Sequence, residues 1–308
     1  MEFFLFIFLS ASILVTLVLI LTFRKIKLQY KDRLDVVEEA ISQNYNARVL
    51  RKPNDFGRDF DFKLNELIED FQKQKIDYEK KEISRKRQLS SIAHDLRTPL
   101  TSIIGYLDAS LNGIADDEKQ KEEFIRIAYE KSIEIKRFTD ELFELAKLDS
   151  DEMKINIEMF DMNEMLRGIL IQFIPLLKVE NIELKTTIPD EKYTIFFDKY
   201  SLRRIVQNVF QNAVQHGKRG GVIGVDVLNM KGFYRVCIWD KGKGIPEDKI
   251  DFIFDRLFRV DDSRKSDSTN YGLGLAITKK LIDMNNAIIN VYSMPGEKTS
   301  FEIDIIKK

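Results

Sequence analysis

Residues Phe3 to Phe23 form an almost uninterrupted apolar run of about 21 residues. As a helix rising about 1.5 Å per residue, such a run crosses a hydrocarbon layer of roughly 30 Å. Arg24, Lys25 and Lys27 follow at once, and basic residues flanking a span are retained on the cytoplasmic side. A cleaved signal peptide fits poorly, because its basic flank precedes a shorter apolar core and a small-residue cleavage site follows it. The expectation is a single-pass anchor over residues 1–23 in the cell membrane, with everything after it cytoplasmic. Only Met1 and Glu2 precede the run, so no domain is expected on the far side.

The chain of 308 residues, 44% hydrophobic and 32% charged, has room for two modest domains and a linker. A net charge of -1, with no basic domain and no zinc-like Cys/His spacing, argues against a nucleic-acid partner. Its one cysteine, Cys237, cannot form an internal disulfide and fits a reducing compartment. The linker spans residues 24–84. Within it Tyr30 to Ile41 reads as helix, Asn44 to Asp55 with Pro53 as loop, and Phe62 to Arg87 as helix again. The charge-rich stretch Gln72 to Arg87 reads either as a solvated helix face or as a dimeric coiled coil.

That helix runs into SIAHDLRTPL, Ser91 to Leu100. With Ala93, Leu96, Leu100, Ile103 and Leu107 as an apolar seam, His94 lies one step off it, on the solvent side. Asp95 follows directly and Thr98 lies one turn on, so the imidazole has a carboxylate and a hydroxyl in local reach. An imidazole is a competent nucleophile near neutral pH, and a carboxylate beside it can take its proton or hold the useful tautomer. A lone histidine on such a helix is more often a solvated surface residue. Pro99, in the helix interior, removes a backbone bond to the Asp95 carbonyl and loosens the turn beside His94. A second amphipathic segment from Glu118 to Leu148 carries Ile125, Ala128, Ile135, Phe138, Leu142 and Leu145, and Asn112, Gly113, Asp116 and Asp117 supply a turn between the two. Two helices cannot bury such seams alone, so this hairpin, over 85–150, is expected to pair as a four-helix bundle in a homodimer.

From about Ile155 the pattern changes to mixed helices and short strands, giving an α+β chain whose last domain, 155–308, is an α/β sandwich. Asp198 to His216 reads as an amphipathic helix with Leu202, Ile205, Val206, Val209, Phe210 and Ala213 on one face and Asn208 and Asn212 on another stripe. Amides at that spacing can hold a metal ion and its waters, or simply face solvent. DKGKGI, Asp240 to Ile245, follows the strand-like Phe233 to Trp239. Gly242 and Gly244 let backbone approach a ligand and Asp240 offers acceptors, although DxGxG also makes ordinary turns. FDRLFR, Phe254 to Arg259, offers aromatics to dock a loop and arginines to reach a phosphate. GLGLAI, Gly272 to Ile277, opens a helix running to about Met284, and glycines before a helix N-terminus suit phosphate. The polar run between Phe258 and Gly272 reads as a lid, and Ile288–Ser293 and Thr299–Ile305 as closing strands.

In this order, SIAHDLRTPL, the Asn208/Asn212 helix, DKGKGI, FDRLFR and GLGLAI resemble the H, N, G1, F and G2 boxes of the sensor histidine kinases of two-component systems, over about Leu89 to Ile306. The resemblance implies a dimerisation and phosphoacceptor hairpin followed by a GHKL-type ATP-binding domain. It also implies ATP and Mg²⁺ as cofactors and the receiver domain of a response regulator as partner. By position, it implies that His94 accepts the γ-phosphoryl group, Asp95 is its base, and Thr98 orients water when the regulator is dephosphorylated. Asn212 would coordinate Mg²⁺, Asn208 would line the same pocket and Asp240 would contact adenine. Gly242, Gly244, Gly272 and Gly274 would shape the pocket and its lid, with Arg259 on a phosphate. The chain departs from the pattern at Gln215, where a lysine is common, at Gly217, where a hydroxyl residue stands, and at Tyr271, where a small residue precedes Gly272. Asp55 to Leu67 resembles the second half of a HAMP domain without the usual proline of its first helix. The absence of an external sensor is similar to kinases that sense at the membrane or through an associated transporter. A phosphatase-dominant ATP-binding docking protein with weak autokinase activity is the alternative. A GHKL ATPase of the chaperone or topoisomerase kind fits neither the H box nor the apolar span.

Overall fold

Forty residues of helix, α1 (Glu2–Ile41), open the chain. The computed structural model describes residues 2–42, 44–50, 57–150, 152–260 and 271–307. The side chains from Phe3 to Phe23 point outward with nothing packed over them. With a mean hydropathy of 2.9, this is a helix long and apolar enough to cross a membrane. The expected separate helix from Tyr30 is instead the end of α1, because Arg24 to Leu28 contain no residue that interrupts a helix. The described residues form two compact units, Met1–Arg87 and Gln88–Lys308, with α2 (Arg58–Leu111) contributing to both.

In the first unit Arg33 of α1 grips Asp61 of α2 through Nε at 2.6 Å and Nη2 at 3.1 Å, and Asp61 is only 3% exposed. Farther along, Gln72 of α2 bonds Asn46 and Arg48 at 3.1 Å each, while the Asn65 amide pairs with both the N–H and the C=O of Val49. The levels 33 with 61 and 46 with 72 make the two helices parallel, with residues 44–50 returning beside α2. Ion pair and amide pair satisfy polar groups that burial would otherwise penalise. Pro53 and Asp55 lie outside the described residues.

The second unit begins with the hairpin. The expected turn at 112–117 separates α2 from α3 (Glu118–Asp149), and Asp117 caps α3 by accepting the Gln120 N–H at 2.7 Å. Tyr106 meets Phe124 across it at 5.7 Å. The seam assigned from sequence divides here into two faces. Leu96 and Ile103 turn inward with buried Pro99, whereas Ala93, Leu100 and Leu107 are exposed, together with Ile104 and Leu111. The physical reason is that α2 is apolar on two sides: one packs within the protomer and the other is left uncovered, and a single heptad seam cannot distinguish them. On α3, Ile125 and Tyr129 are also exposed, while Ala128, Phe138, Leu145 and Leu148 are buried.

The remaining elements build the α/β sandwich. Strand β1 (Ile157–Asp161) pairs antiparallel with β3 (Thr194–Asp198). A mixed sheet runs in the order β2-β4-β5-β7-β6, from β2 (Glu183–Thr187), β4 (Val222–Asn229), β5 (Phe233–Asp240), β6 (Ile288–Met294) and β7 (Lys298–Ile306). Helices α4 (Met162–Ile171), α6 (Lys199–Gly217) and α7 (Gly274–Met284) contribute the facing layer, with the short α5 (Ile174–Val179) beside them. Asp198 starts α6 by accepting the Ser201 N–H at 2.6 Å. The predicted stripe Leu202, Ile205, Val206, Val209, Phe210 and Ala213 is at most 1% exposed and meets Ile223, Val225, Val236, Ile238, Phe301 and Ile303 of the sheet. Phe138, Leu145 and Leu148 of α3 belong to the same core.

Phe210, fully buried, is expected to cost about 3–5 kcal/mol when truncated to alanine. The sole tryptophan, Trp239 on β5, reports this domain's denaturant unfolding by fluorescence. An unchanged midpoint in Phe210→Ala would contradict the packing.

Candidate functional site

On α2 the His94 side chain is 43% exposed, and its Nδ1 lies 3.3 Å from Asp95 Oδ1. The Thr98 hydroxyl, expected within reach of the imidazole, donates instead to the His94 backbone carbonyl at 3.3 Å. Thr101 and Ser102 repeat the pattern onto the carbonyls of Arg97 and Thr98 at 2.8 and 3.2 Å. These hydroxyls give carbonyls in the turns around Pro99 additional donors, and α2 runs helical through the proline.

The sandwich holds a cavity of about 660 Å³, within the range of ligand sites. Asn208, Asn212, Asp240, Gly244, Arg259, Gly272 and Gly274 of the predicted set line it. Gly242 is not among the lining residues, but its N–H donates to Asp240 Oδ1 at 2.8 Å. Its own Cβ position would collide with the His216 carbonyl, so it holds the G1 turn against the end of α6. Gly244 has φ +77 and a Cβ there would stand 2.6 Å from Pro295 Cα; Gly272 has φ +72 and would meet the Phe258 carbonyl at 2.6 Å. Both positions therefore require glycine. The Leu257 N–H reaches the Gly272 carbonyl at 3.0 Å, tying the F box to the start of the G2 box. Residues 261–270 of the expected lid lie outside the described residues.

Asp240 continues the inward alternation of Val236 and Ile238 on β5, which carries its carboxylate into the cavity floor at 4% exposure. Burial pushes its pKa from 3.8 to about 6 against the opposing Gly242 hydrogen bond. Gly217 explains one departure from the pattern: a Cβ there would lie 2.8 Å from Asp240 Cβ, so the bare helix end allows α6 to rest on this side chain. Thr299, paired with Asp240 across β5 and β7 and also lining the cavity, escaped sequence reasoning, since one threonine in an alternating strand carries no signal.

Asn208 donates to the Gly274 carbonyl at 2.9 Å and lies 3.4 Å from the Thr278 hydroxyl, so its amide ties α6 to the first turn of α7. Asn212 is half-exposed, and its amide makes no hydrogen bond among the described residues. An amide oxygen suits a hard divalent ion that keeps waters and phosphate oxygens as its other ligands. Among the described residues no cluster of three His, Cys, Asp or Glu could form an all-protein metal cage.

The hairpin reaches the rim of this cavity. Tyr271 packs against Phe138 of α3 with ring centroids 4.1 Å apart and the planes tilted by 35°, and burial together with the nearby Glu134 carboxylate raises its phenol pKa. Arg204 of α6 is held by Glu144 of α3, Nε to Oε2 at 2.9 Å, and Tyr200 donates to Glu144 Oε1 at 2.8 Å. Arg256 pairs with Asp149 at 2.7 Å. Tyr271, the third departure, thus packs on the hairpin.

The Asp240 carboxyl binds its proton more tightly folded than unfolded. Its contribution to stability is therefore greatest below pH 4 and is lost as pH rises from about 4 to 6, leaving a penalty of up to about 3 kcal/mol above pH 6. Asp240→Asn should be more stable than the parent at pH 7.5, with the gain vanishing by pH 4. A gain independent of pH would contradict this assignment.

Residues 197–308 match the family model for the histidine kinase-, DNA gyrase B- and HSP90-like ATPases, and residues 84–151 that for the His Kinase A phospho-acceptor domain. The chain is 30% identical over 272 residues to the sensor histidine kinase YcbM of Bacillus subtilis, covering 88% of each chain. It is 31% identical over 233 residues to the sensor protein kinase WalK of Staphylococcus aureus, covering 74% of this chain but 55% of that one. The fold is shared with the histidine kinase ThkA in its crystal structure with the response regulator protein TrrA, at a TM-score of 0.57 and 22% identity, over 75% of this chain and 66% of that one. With an ATPase sandwich and a phosphoacceptor hairpin in one chain, the protein belongs to the sensor histidine kinases of two-component systems, which are ATP-dependent protein kinases.

Proposed function

We propose that the chain is a membrane-anchored homodimer that moves the γ-phosphoryl group of ATP to His94 and then to an aspartate of a response regulator. The observation that carries this is the pairing, in one unit, of a half-exposed His94 beside Asp95 with a cavity lined by Asn208, Asn212 and Asp240. In the tautomer that donates Nδ1–H to Asp95, Nε2 holds the lone pair and attacks the γ-phosphorus in line. The bond to the β-phosphate oxygen breaks, ADP leaves with the electron pair, and Asp95 takes the Nδ1 proton. Asp240 accepts from the adenine amino group, which fits a buried carboxylate at the cavity floor. Asn212 holds Mg²⁺, which neutralises charge on the phosphates when bound, while Asn208 holds α7 in place and Arg259 faces the phosphates from the rim. The four glycines shape the pocket and the lid root.

The domains read as an anchor over 1–23, a parallel helix–connector–helix relay similar to a HAMP domain over 24–84, the hairpin over 85–150 and the ATP-binding domain over 155–308. Exposed Leu100, Ile104, Leu107, Leu111, Ile125 and Tyr129 provide the dimer seam, since a stripe of this kind needs a second copy to leave water. The ThkA–TrrA complex supports a regulator as partner. A membrane-embedded partner, such as a transporter, would supply the stimulus. By rotating away from the His94 carbonyl, Thr98 would orient a water to dephosphorylate the regulator.

The test is incorporation of γ-labelled phosphate by the full chain in lipid nanodiscs with Mg-ATP, beside His94→Gln. Acid-labile, base-stable label is expected only with His94. ATP binding without any label would overturn the kinase reading in favour of the phosphatase or docking alternative.

A further inference from the structure

The α6 face that looks into the cavity carries Arg204, Asn208 and Asn212 at successive intervals of four residues, so one straight stripe lines the pocket. Arg204 stands at the end of that stripe nearest α3, and it is spoken for. Its Nε lies 3.2 and 2.9 Å from the two Glu144 oxygens, its Nη2 lies 2.9 Å from Glu144 Oε2, and Glu141 Oε1 is 3.8 Å away. Tyr200, one turn back on α6, gives the same Glu144 a second donor, and burial, joined by Glu144, pushes its phenol up to about 12. Glu141 itself lines the nucleotide cavity.

A guanidinium recognises a carboxylate and a phosphate with the same two-pronged donor geometry, and the Nε–Nη2 edge that Glu144 occupies is closed to a phosphate while that pair stands. The pair is mostly withdrawn from water, with side chains 23% and 13% exposed, so it is screened less than a surface bridge. Deepening the reading above, and resting on the cavity being the ATP site, we propose that Arg204 is a phosphate-binding arginine that α3 withholds from ATP. In the docked arrangement Glu144 and Glu141 act as a built-in anion on this arginine. When α3 moves away, the guanidinium passes to the phosphate chain, so nucleotide and hairpin compete for one side chain. The tilted Phe138–Tyr271 ring contact and the Arg256–Asp149 pair belong to the same docked face, one at the cavity rim and the other beyond it.

The competition is read from the ratio of ATP to AMP affinity in the full chain in nanodiscs, by calorimetry in a His94→Gln background that blocks transfer. AMP fills the base and sugar positions and lacks the β- and γ-phosphates that Arg204 would take. Glu141→Gln with Glu144→Gln should tighten ATP about 5- to 10-fold and leave AMP unchanged. Arg204→Gln should weaken ATP about 10-fold, leave AMP unchanged, and abolish the gain from the glutamine pair. An ATP/AMP ratio untouched by the glutamine pair overturns the proposal, as does an equal loss of ATP and AMP in Arg204→Gln, which marks a structural role. His94-dependent label with an unmoved ratio sinks this inference alone. A moved ratio without label leaves it standing and sinks the kinase reading.

Discussion

The two-sided burial of α6 is the constraint on which the rest of the second unit depends. One stripe, Leu202 to Ala213, lies against the sheet at essentially zero exposure, and the opposite stripe, Arg204, Asn208 and Asn212, lines the cavity. A helix whose one face is locked by close packing cannot rotate its other face without opening voids in the core, so the packing sets the angular placement of the ligand-facing side chains. The same helix closes on Asp240 through Gly217 and ties down α7 through Asn208. Core, cavity floor and cavity rim are consequences of one amphipathic segment held at its start by Asp198.

Built on that frame, α3 joins two tasks that the chain must keep in register. Its buried residues Phe138, Leu145 and Leu148 complete the core of the sandwich, and its carboxylates hold Arg204, Tyr200, Tyr271 and Arg256. Phosphoryl transfer demands in-line approach and charge neutralisation more than covalent help, so the position of the ATP-binding domain against the hairpin governs the rate. The docking face sets ion pairs and a tilted aromatic contact around the buried Phe138, Leu145 and Leu148, and a ligand with differential affinity for the two arrangements shifts it only by offsetting the exposure of those apolar side chains.

Much of this was legible in the chain itself. The apolar run before Arg24, the α6 stripe, the turn at 112–117 and the closing strands are local patterns, and local periodicity is what a sequence displays most directly. The two faces of α2 were not legible, because Leu96 and Leu100 are equally apolar and only the fold decides which is covered. Thr299 and Arg204 owe their roles to partners tens of residues away, Asp240 and Glu144, and no spacing rule connects them. The departures at Gly217 and Tyr271 carry no explanation in the sequence alone. Three dimensions give each a neighbour, Asp240 in one case and Phe138 with Glu134 in the other.

Nucleotide that takes Arg204 releases α3 from the ATP-binding domain, so a distance between the two reports the exchange. Spin labels at Lys136 of α3 and Lys279 of α7, both exposed, placed in the full chain with Cys237 replaced by alanine, report it by double electron–electron resonance. In dimers diluted with unlabelled chain, so that the separation within one protomer is read, a short distance without nucleotide, joined by a longer one on adding ATP but not AMP, is the predicted result. One distribution indifferent to ATP would contradict the account.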